Sequence, residues 1–154
     1  MAKSISFQCL IAKQSSTYQV VSFVAKAKDI EKFAQISRIG RDNEGSLFGF
    51  QRSQIGNHIQ EIHDYLEQDD AVLPNSLIVA FVEGASIEAK KGSNIGEIKI
   101  DINQQPVGFI VDGQQRYSAL RMLEDKEFEV FISAIICKSE EMLQKQFVRI
   151  INFW

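Results

Sequence analysis

Six consecutive apolar residues, Leu77-Ile78-Val79-Ala80-Phe81-Val82, set the tightest limit on how this chain can fold. An uninterrupted run of that length, bounded by Pro74-Asn75 on one side and Glu83-Gly84 on the other, reads as a central β-strand covered on both faces. Such a strand needs neighbours on either side and a layer on each face. At 154 residues the chain is the size of one domain that can bury a real core. With 45% hydrophobic and 24% charged residues it is globular in composition, neither disordered nor fibrous.

Residues 5–12 and 18–25 are rich in β-formers and are separated by Lys13-Gln14-Ser15-Ser16-Thr17, which predicts an N-terminal hairpin. Asp29 is placed to cap a short helix running through Ile36, before a loop around Gly40 and Asn43-Glu44-Gly45. Over residues 54–68, Ile55, Ile59, Ile62 and Leu66 recur at intervals of four, three and four, so a helix with one buried stripe is expected. Residues 84–92 read as a polar loop, 95–102 as an alternating strand and 103–106 as a turn. A strand at 107–111, a helix to about Leu123, a strand at 128–136 and a helix starting at Ser139 complete the pattern. No repeat, low-complexity tract or linker interrupts it, so the expectation is one mixed α/β domain.

No apolar run approaches the roughly 18 to 20 residues of a membrane span. The start, Met1-Ala2-Lys3-Ser4-Ile5-Ser6, lacks the long apolar stretch of a secretory signal, and a cytoplasmic protein is expected. Cys9 and Cys137 lie in apolar surroundings without a CxxC or His-spaced partner and read as buried free thiols. His58 and His63 are five apart, about 140° around a helix, which spoils a shared zinc face; no metal ligand set is expected. Charge is uneven. Lys3, Lys13, Lys26, Lys28, Lys32, Arg38 and Arg41 stand against only Asp29 and Glu31, so residues 1–41 carry +5 of a net −3. That part alone offers a basic surface to a phosphate backbone, although a solvated charged face accounts for the lysines equally well.

The chemistry concentrates in Asp112-Gly113-Gln114-Gln115-Arg116, which follows Val107-Gly108-Phe109-Ile110-Val111 and opens Tyr117-Ser118-Ala119-Leu120-Arg121-Met122-Leu123. A buried strand that turns into a helix within one glycine directs the first helical N–H groups outward, here beside a guanidinium. This arrangement suits an anion, most naturally a phosphate. A plain structural reading stands beside it: Asp112 and Gln115 have the spacing of a capping box, in which Asp112 is the N-cap. That box explains Asp112, Gly113 and Gln115, and leaves Gln114 and Arg116 without a reason.

These residues resemble the signature of DGQHR-domain proteins, the family that includes DndB-like DNA sulfur-modification proteins. Gln115 departs from that signature, since the family usually carries His there. In this respect the motif is similar to the DGQQR signature of GmrSD-type restriction proteins of the same ParB/sulfiredoxin-like superfamily. Losing the imidazole removes a titratable group and any acid–base role at that position. A second unit supports the DGQHR likeness. Phe50-Gln51-Arg52 leads into a helix, Asp69-Asp70-Ala71-Val72-Leu73-Pro74-Asn75 and a strand, as in that family. The resemblance spans about residues 17–150. On that resemblance a further C-terminal region is expected in the family after the helix that carries Phe147 and Ile150, and the expectation is one DGQHR domain over residues 1–154 that lacks it.

The resemblance implies an α+β fold with a ParB/sulfiredoxin-like mixed sheet and a strand-to-helix phosphate-binding motif. It implies a nucleotide-binding, NTP-hydrolysing domain acting in DNA modification, its transcriptional regulation or phage defence, with DNA as a further partner and self-association compatible with it. On this pattern Gly113 lets the backbone approach a phosphate, Gln114 and Gln115 donate N–H groups, and Arg116 makes a two-pronged contact that a lysine cannot reproduce. Gln114 binds a phosphate oxygen or positions a water. Asp112 either shapes the turn as N-cap, the favoured role, or holds Mg²⁺ and orients water. Gln51 and Arg52 are expected on the same rim, where a second arginine helps neutralise a polyphosphate. The alternative is a DNA-binding regulator that touches backbone phosphates through Arg52, Arg116 and the N-terminal lysines, with no nucleotide. Nuclease action is disfavoured because no cluster of acids with a lysine is present. Sulfiredoxin chemistry is disfavoured because no cysteine stands in the motif.

Overall fold

The computed structural model describes residues 3–36, 49–103 and 105–153, and the side chains of 49–54 and 147–153 lie outside that description. The elements run β1 (Ser4–Ala12), β2 (Gln19–Lys26), α1 (Ala27–Phe33), β3 (Ala34–Ile36), α2 (Gly49–Leu66) and β4 (Leu77–Phe81). They continue with β5 (Ala85–Ala89), β6 (Ile95–Asp101), β7 (Gly108–Asp112), α3 (Gln114–Leu120), β8 (Glu129–Ile136) and α4 (Glu140–Phe153). All described strands join one sheet in the order β3-β7-β4-β8-β2-β1-β6-β5. The sheet is mixed: β3 with β7 and β4 with β8 are parallel, while the other neighbours are antiparallel. The protein is therefore an α+β fold built on a mixed sheet.

The apolar run 77–82 does form the central strand. β4 is paired on both sides and all five of its residues are buried. Alternation sends Leu77, Val79 and Phe81 into the main core with Ile30, Phe33, Leu66, Tyr117 and Leu120. Ile78 and Ala80 point the other way, into a smaller cluster with Val111, Cys137 and Leu143. Helices α1, α2 and α3 thus cover one face of the sheet, and α4 covers part of the other. Burying five such side chains on both faces contributes about 1.5 to 3 kcal/mol for each large one, which fixes the register of the middle of the sheet. Farther along, Phe7 stacks on Phe23 at 4.7 Å between ring centres and meets the edge of Phe33. The main core therefore extends under β1 and β2, as the expected N-terminal hairpin requires.

Several expectations need correction. The helix predicted from Asp29 to Ile36 ends at Phe33, because Ala34–Ile36 pairs in parallel with Gly108–Ile110 and Gln35 Nε2 donates to the Pro106 carbonyl at 3.1 Å. Asp29 is not its cap; it lies in the first turn and pairs with Lys32 at 2.9 Å. The polar loop at 84–92 contains β5, whose ladder partner β6 supplies what the weak local pattern did not. Helix α2 begins five residues earlier than expected, and α3 stops at Leu120. The stripe on α2 is as expected: Leu66 is fully buried, and Ile59 and Ile62 pack against the main core. Ser139 does open α4, its Oγ accepting from Met142 N–H at 3.2 Å.

Candidate functional site

The motif sits where β7 leaves the sheet. Asp112 is the last residue of β7 and pairs with Ile78, beside an irregularity in the ladder between Ile78 and Val79. Gly113 then takes the left-handed conformation, φ 87° and ψ 24°, and is the N-cap of α3. This position admits glycine for two separate reasons. An L side chain is strained at that φ, and a Cβ there would stand 2.6 Å from Leu77 Cδ2 and 2.8 Å from Arg116 Nη2. The capping box is therefore corrected: Asp112 lies one residue before the cap, and no side chain caps the helix.

Asp112 turns instead toward Arg116, with 3.6 Å between Oδ2 and Nη2, and its side chain is 41% exposed. Arg116 is 22% exposed. Its Nη1 donates to the carbonyls of Asn75 and Ser76 at 3.2 and 3.3 Å, the residues that lead into β4. The guanidinium thus bridges two chain segments and lies against Gly113. Gln114 folds back on the strand, its Nε2 donating to the Ile110 carbonyl at 3.1 Å, while Ser118 Oγ donates to the Gln114 carbonyl. Gln115 is exposed. Tyr117 is buried beneath the turn, its phenol pushed up from the ordinary value by burial, with Arg121 over its ring at 5.7 Å.

The structure therefore brings Asp112, Gly113, Gln114, Gln115 and Arg116 into one turn. Gln51 and Arg52 fall in the first turn of α2, where their side chains lie outside the described residues, as do Arg38 and Arg41. The sequence reading missed Asn75 and Ser76 as partners of Arg116. Asn75 stood in the second unit, but a backbone carbonyl leaves no residue-type signal. It also missed the contact between Ser76 Oγ and Ser133 Oγ at 2.8 Å, which ties the start of β4 to β8. Two concavities lie elsewhere: one along β5 and β6 lined by Glu88, Lys90 and Glu97, and one beside α1 lined by Lys28, Glu31, Arg121 and Lys126. Neither includes a motif residue.

The N-terminal basic excess is partly offset in space. Glu127, from the loop before β8, lies 3.6 Å from Lys26 and 3.2 Å from Lys28, and the lysines hold its carboxyl below the usual carboxylate range. Cys9 and Cys137 are free and buried, as expected, although Cys137 lies one residue beyond β8. Burial raises both thiols, with Glu97 adding to the effect at Cys9. His63 faces Asp64 and Glu67 at 3.2 and 3.1 Å. Among the described residues, no three His, Cys, Asp or Glu side chains gather to hold a metal ion. Nor, among them, is any helix long and apolar enough to cross a membrane.

A family model described as DNA-sulfur modification-associated matches residues 7–148, nearly the whole chain and slightly more than the motif resemblance covered. No curated protein and no solved structure matches.

Proposed function

The chain belongs to the DndB family of DNA-sulfur modification-associated proteins, and from that membership we propose that it serves DNA modification or its transcriptional control by holding a nucleotide's phosphates at the β7–α3 turn. The family places the role in DNA sulfur modification or its regulation; the nucleotide is our own reading. The observation that carries it is the left-handed Gly113 with the Arg116 guanidinium laid against it. A glycine here lets a phosphate approach the main chain, and the first-turn N–H groups of α3 supply donors. Two carbonyls fix Nη1 of Arg116, so the fork is oriented before any ligand arrives, and a phosphate would share or take Nη2 from the Asp112 carboxylate through a charge-assisted bond. Because Gln114 Nε2 is tied to Ile110, the role of Gln114 falls to its main chain.

Asp112 repels a bare phosphate. The fit of an Mg²⁺·NTP rests on that exposed carboxylate, since Mg²⁺ takes one or two protein carboxylates together with phosphate oxygens and water. Bound there, Mg²⁺ would neutralise charge on the phosphates. Gln51 and Arg52 would then add donors from α2. A second reading, backbone phosphates of DNA in place of a nucleotide, is favoured by the family's link to DNA. It is weakened at the N-terminal surface, where Glu127 offsets two lysines.

Calorimetry with ATP, GTP and CTP in Mg²⁺ tests the reading, using wild type beside Arg116→Lys with circular dichroism on both. The lysine keeps the charge but lacks the fork. Saturable binding by wild type, weakened tenfold or more in a folded variant, is the expected result, about 1.4 kcal/mol. A folded wild type that binds none of the three would sink the nucleotide reading and leave the DNA one.

A further inference from the structure

The two edges of the sheet differ. The β3 edge offers three residues, whereas β5 ends the other side with five, Ala85–Ala89. Asp101 N–H donates to the Gly84 carbonyl at 2.8 Å, and the β5–β6 register runs unbroken from Ala85↔Ile100 to Ala89↔Gly96. Alternate residues of an antiparallel strand turn their backbone groups to opposite sides. Ser86 and Glu88 therefore face β6 like Gly84, and Ala85, Ile87 and Ala89 turn their N–H and C=O groups away from the sheet. Natural edges are blunted by proline, a bulge or an inward-facing charge. Ala85–Ala89 has none of these, because its one charge, Glu88, lies on the face away from the main core.

We propose that β5 is the seam of a homodimer, in which two copies pair antiparallel about a twofold axis through Ile87 and continue the sheet from one subunit into the other. A twofold contact needs a surface complementary to itself. In this register Ala85 meets Ala89 of the second copy and Ile87 meets Ile87, so all three outward residues pair at the hydrogen-bonded positions. Any other twofold register leaves at least one of them unpaired. Ile87 already packs on the main core, and its counterpart extends that apolar layer across the seam. On the opposite face Ser86 stands across from Glu88 of the second copy, at the positions where side chains approach closest. Within one subunit the neighbour across from Glu88 is Glu97, a like charge, and the neighbour across from Ser86 is Lys99. The second copy thus gives the Glu88 carboxylate a hydroxyl donor. The near-palindrome Ala-Ser-Ile-Glu-Ala favours a second copy over an unrelated extended peptide.

Sedimentation velocity of the full chain over about 1 to 200 µM should show a reversible monomer–dimer equilibrium. Ser86→Glu sets a carboxylate opposite Glu88 of the second copy while gaining Lys99 within its own subunit, so the fold survives and dimerisation weakens about tenfold. Adding Glu88→Lys to that variant restores attraction across the seam and should return the dimer. Ala89→Pro removes an outward N–H that takes no part in the β5–β6 ladder among the described residues and should also yield monomer. A wild type that stays monomeric throughout, or a dimer indifferent to Ser86→Glu and Ala89→Pro, would overturn the proposal. A dimer lost in Ser86→Glu and not recovered in the double variant overturns the twofold register.

Discussion

The guanidinium of Arg116 fills the space that a side chain on Gly113 would need, with 2.8 Å between Nη2 and the position of that Cβ. Motif glycine and motif arginine are therefore one device: the missing side chain makes room for the charge, and the charge is bonded to the carbonyls that open β4. This coupling exists whether or not a phosphate binds, and it answers the question that the capping box left open about Arg116.

Gly113→Ala should destabilise the protein by about 3 kcal/mol, combining left-handed strain with crowding against Leu77 and Arg116. Gly92 separates the two effects, because it has nearly the same φ, 79°, and a Cβ there would meet nothing within 4 Å. Gly92→Ala should cost only about 1 kcal/mol. Urea unfolding of both variants measures the difference, and equal losses would refute the packing contribution.

Stability should fall as pH rises above about 9. Burial raises the folded-state values of Cys9, Cys137 and Tyr117, so the unfolded chain loses these protons at a lower pH than the folded one. Their contribution is complete below the ordinary values of 9.0 for the thiols and 10.0 for the phenol, and is lost as pH climbs through the folded values. Tyr117→Phe should flatten the upper part of that decline in pH-dependent thermal melts. Phenolate absorbance of the wild type should develop late for this one tyrosine.

Glu127→Gln bears on the DNA reading. Its carboxyl is held low by Lys28 and Lys26, so the stability it gives is present above the ordinary carboxylate value and disappears as pH falls through the depressed one. The pair is exposed, and the effect on stability should be small and suppressed by salt. If the N-terminal lysines touch DNA, releasing Lys26 and Lys28 should tighten DNA binding and steepen its salt dependence. Fluorescence anisotropy with duplex DNA at several salt concentrations checks this, and unchanged binding removes that surface from the interface.

Lys126 closes the end of α2, its Nζ donating to the carbonyls of Leu66 and Gln68 at 2.6 and 2.7 Å. Lys126→Met keeps most of the stem and removes both bonds and the charge beside a helix C-terminus. A loss of about 1 to 2 kcal/mol is expected in chemical denaturation. An unchanged midpoint would mean that water replaces the ammonium without cost.

Strong local patterns were readable from the sequence, and long-range pairings were not. The run at 77–82 announced a doubly covered strand, and the spacing of Ile55, Ile59, Ile62 and Leu66 announced a helix, because each pattern contains its own geometry. Ala34–Ile36 and Ala85–Ala89 are strands only because β7 and β6 lie beside them, and neither segment carries enough alternation to say so. At the site, residue types located the turn but misplaced the cap by one position. Asp before Gly fits a capping box equally well until the φ of Gly113 is known. The partners of Arg116 are main-chain carbonyls, invisible to any reading of side chains.

Placing β4 between β7 and β8 also sets the order in which the molecule can be completed. A chain emerging from the ribosome with Leu77–Phe81 exposed has its hairpin and two of its helices, yet neither strand that flanks β4 has been made. The most apolar strand waits, with both edges bare, for residues as distant as Ile136. During synthesis this apolar strand therefore stays open to wrong pairing, and that vulnerable interval closes only when β8 arrives.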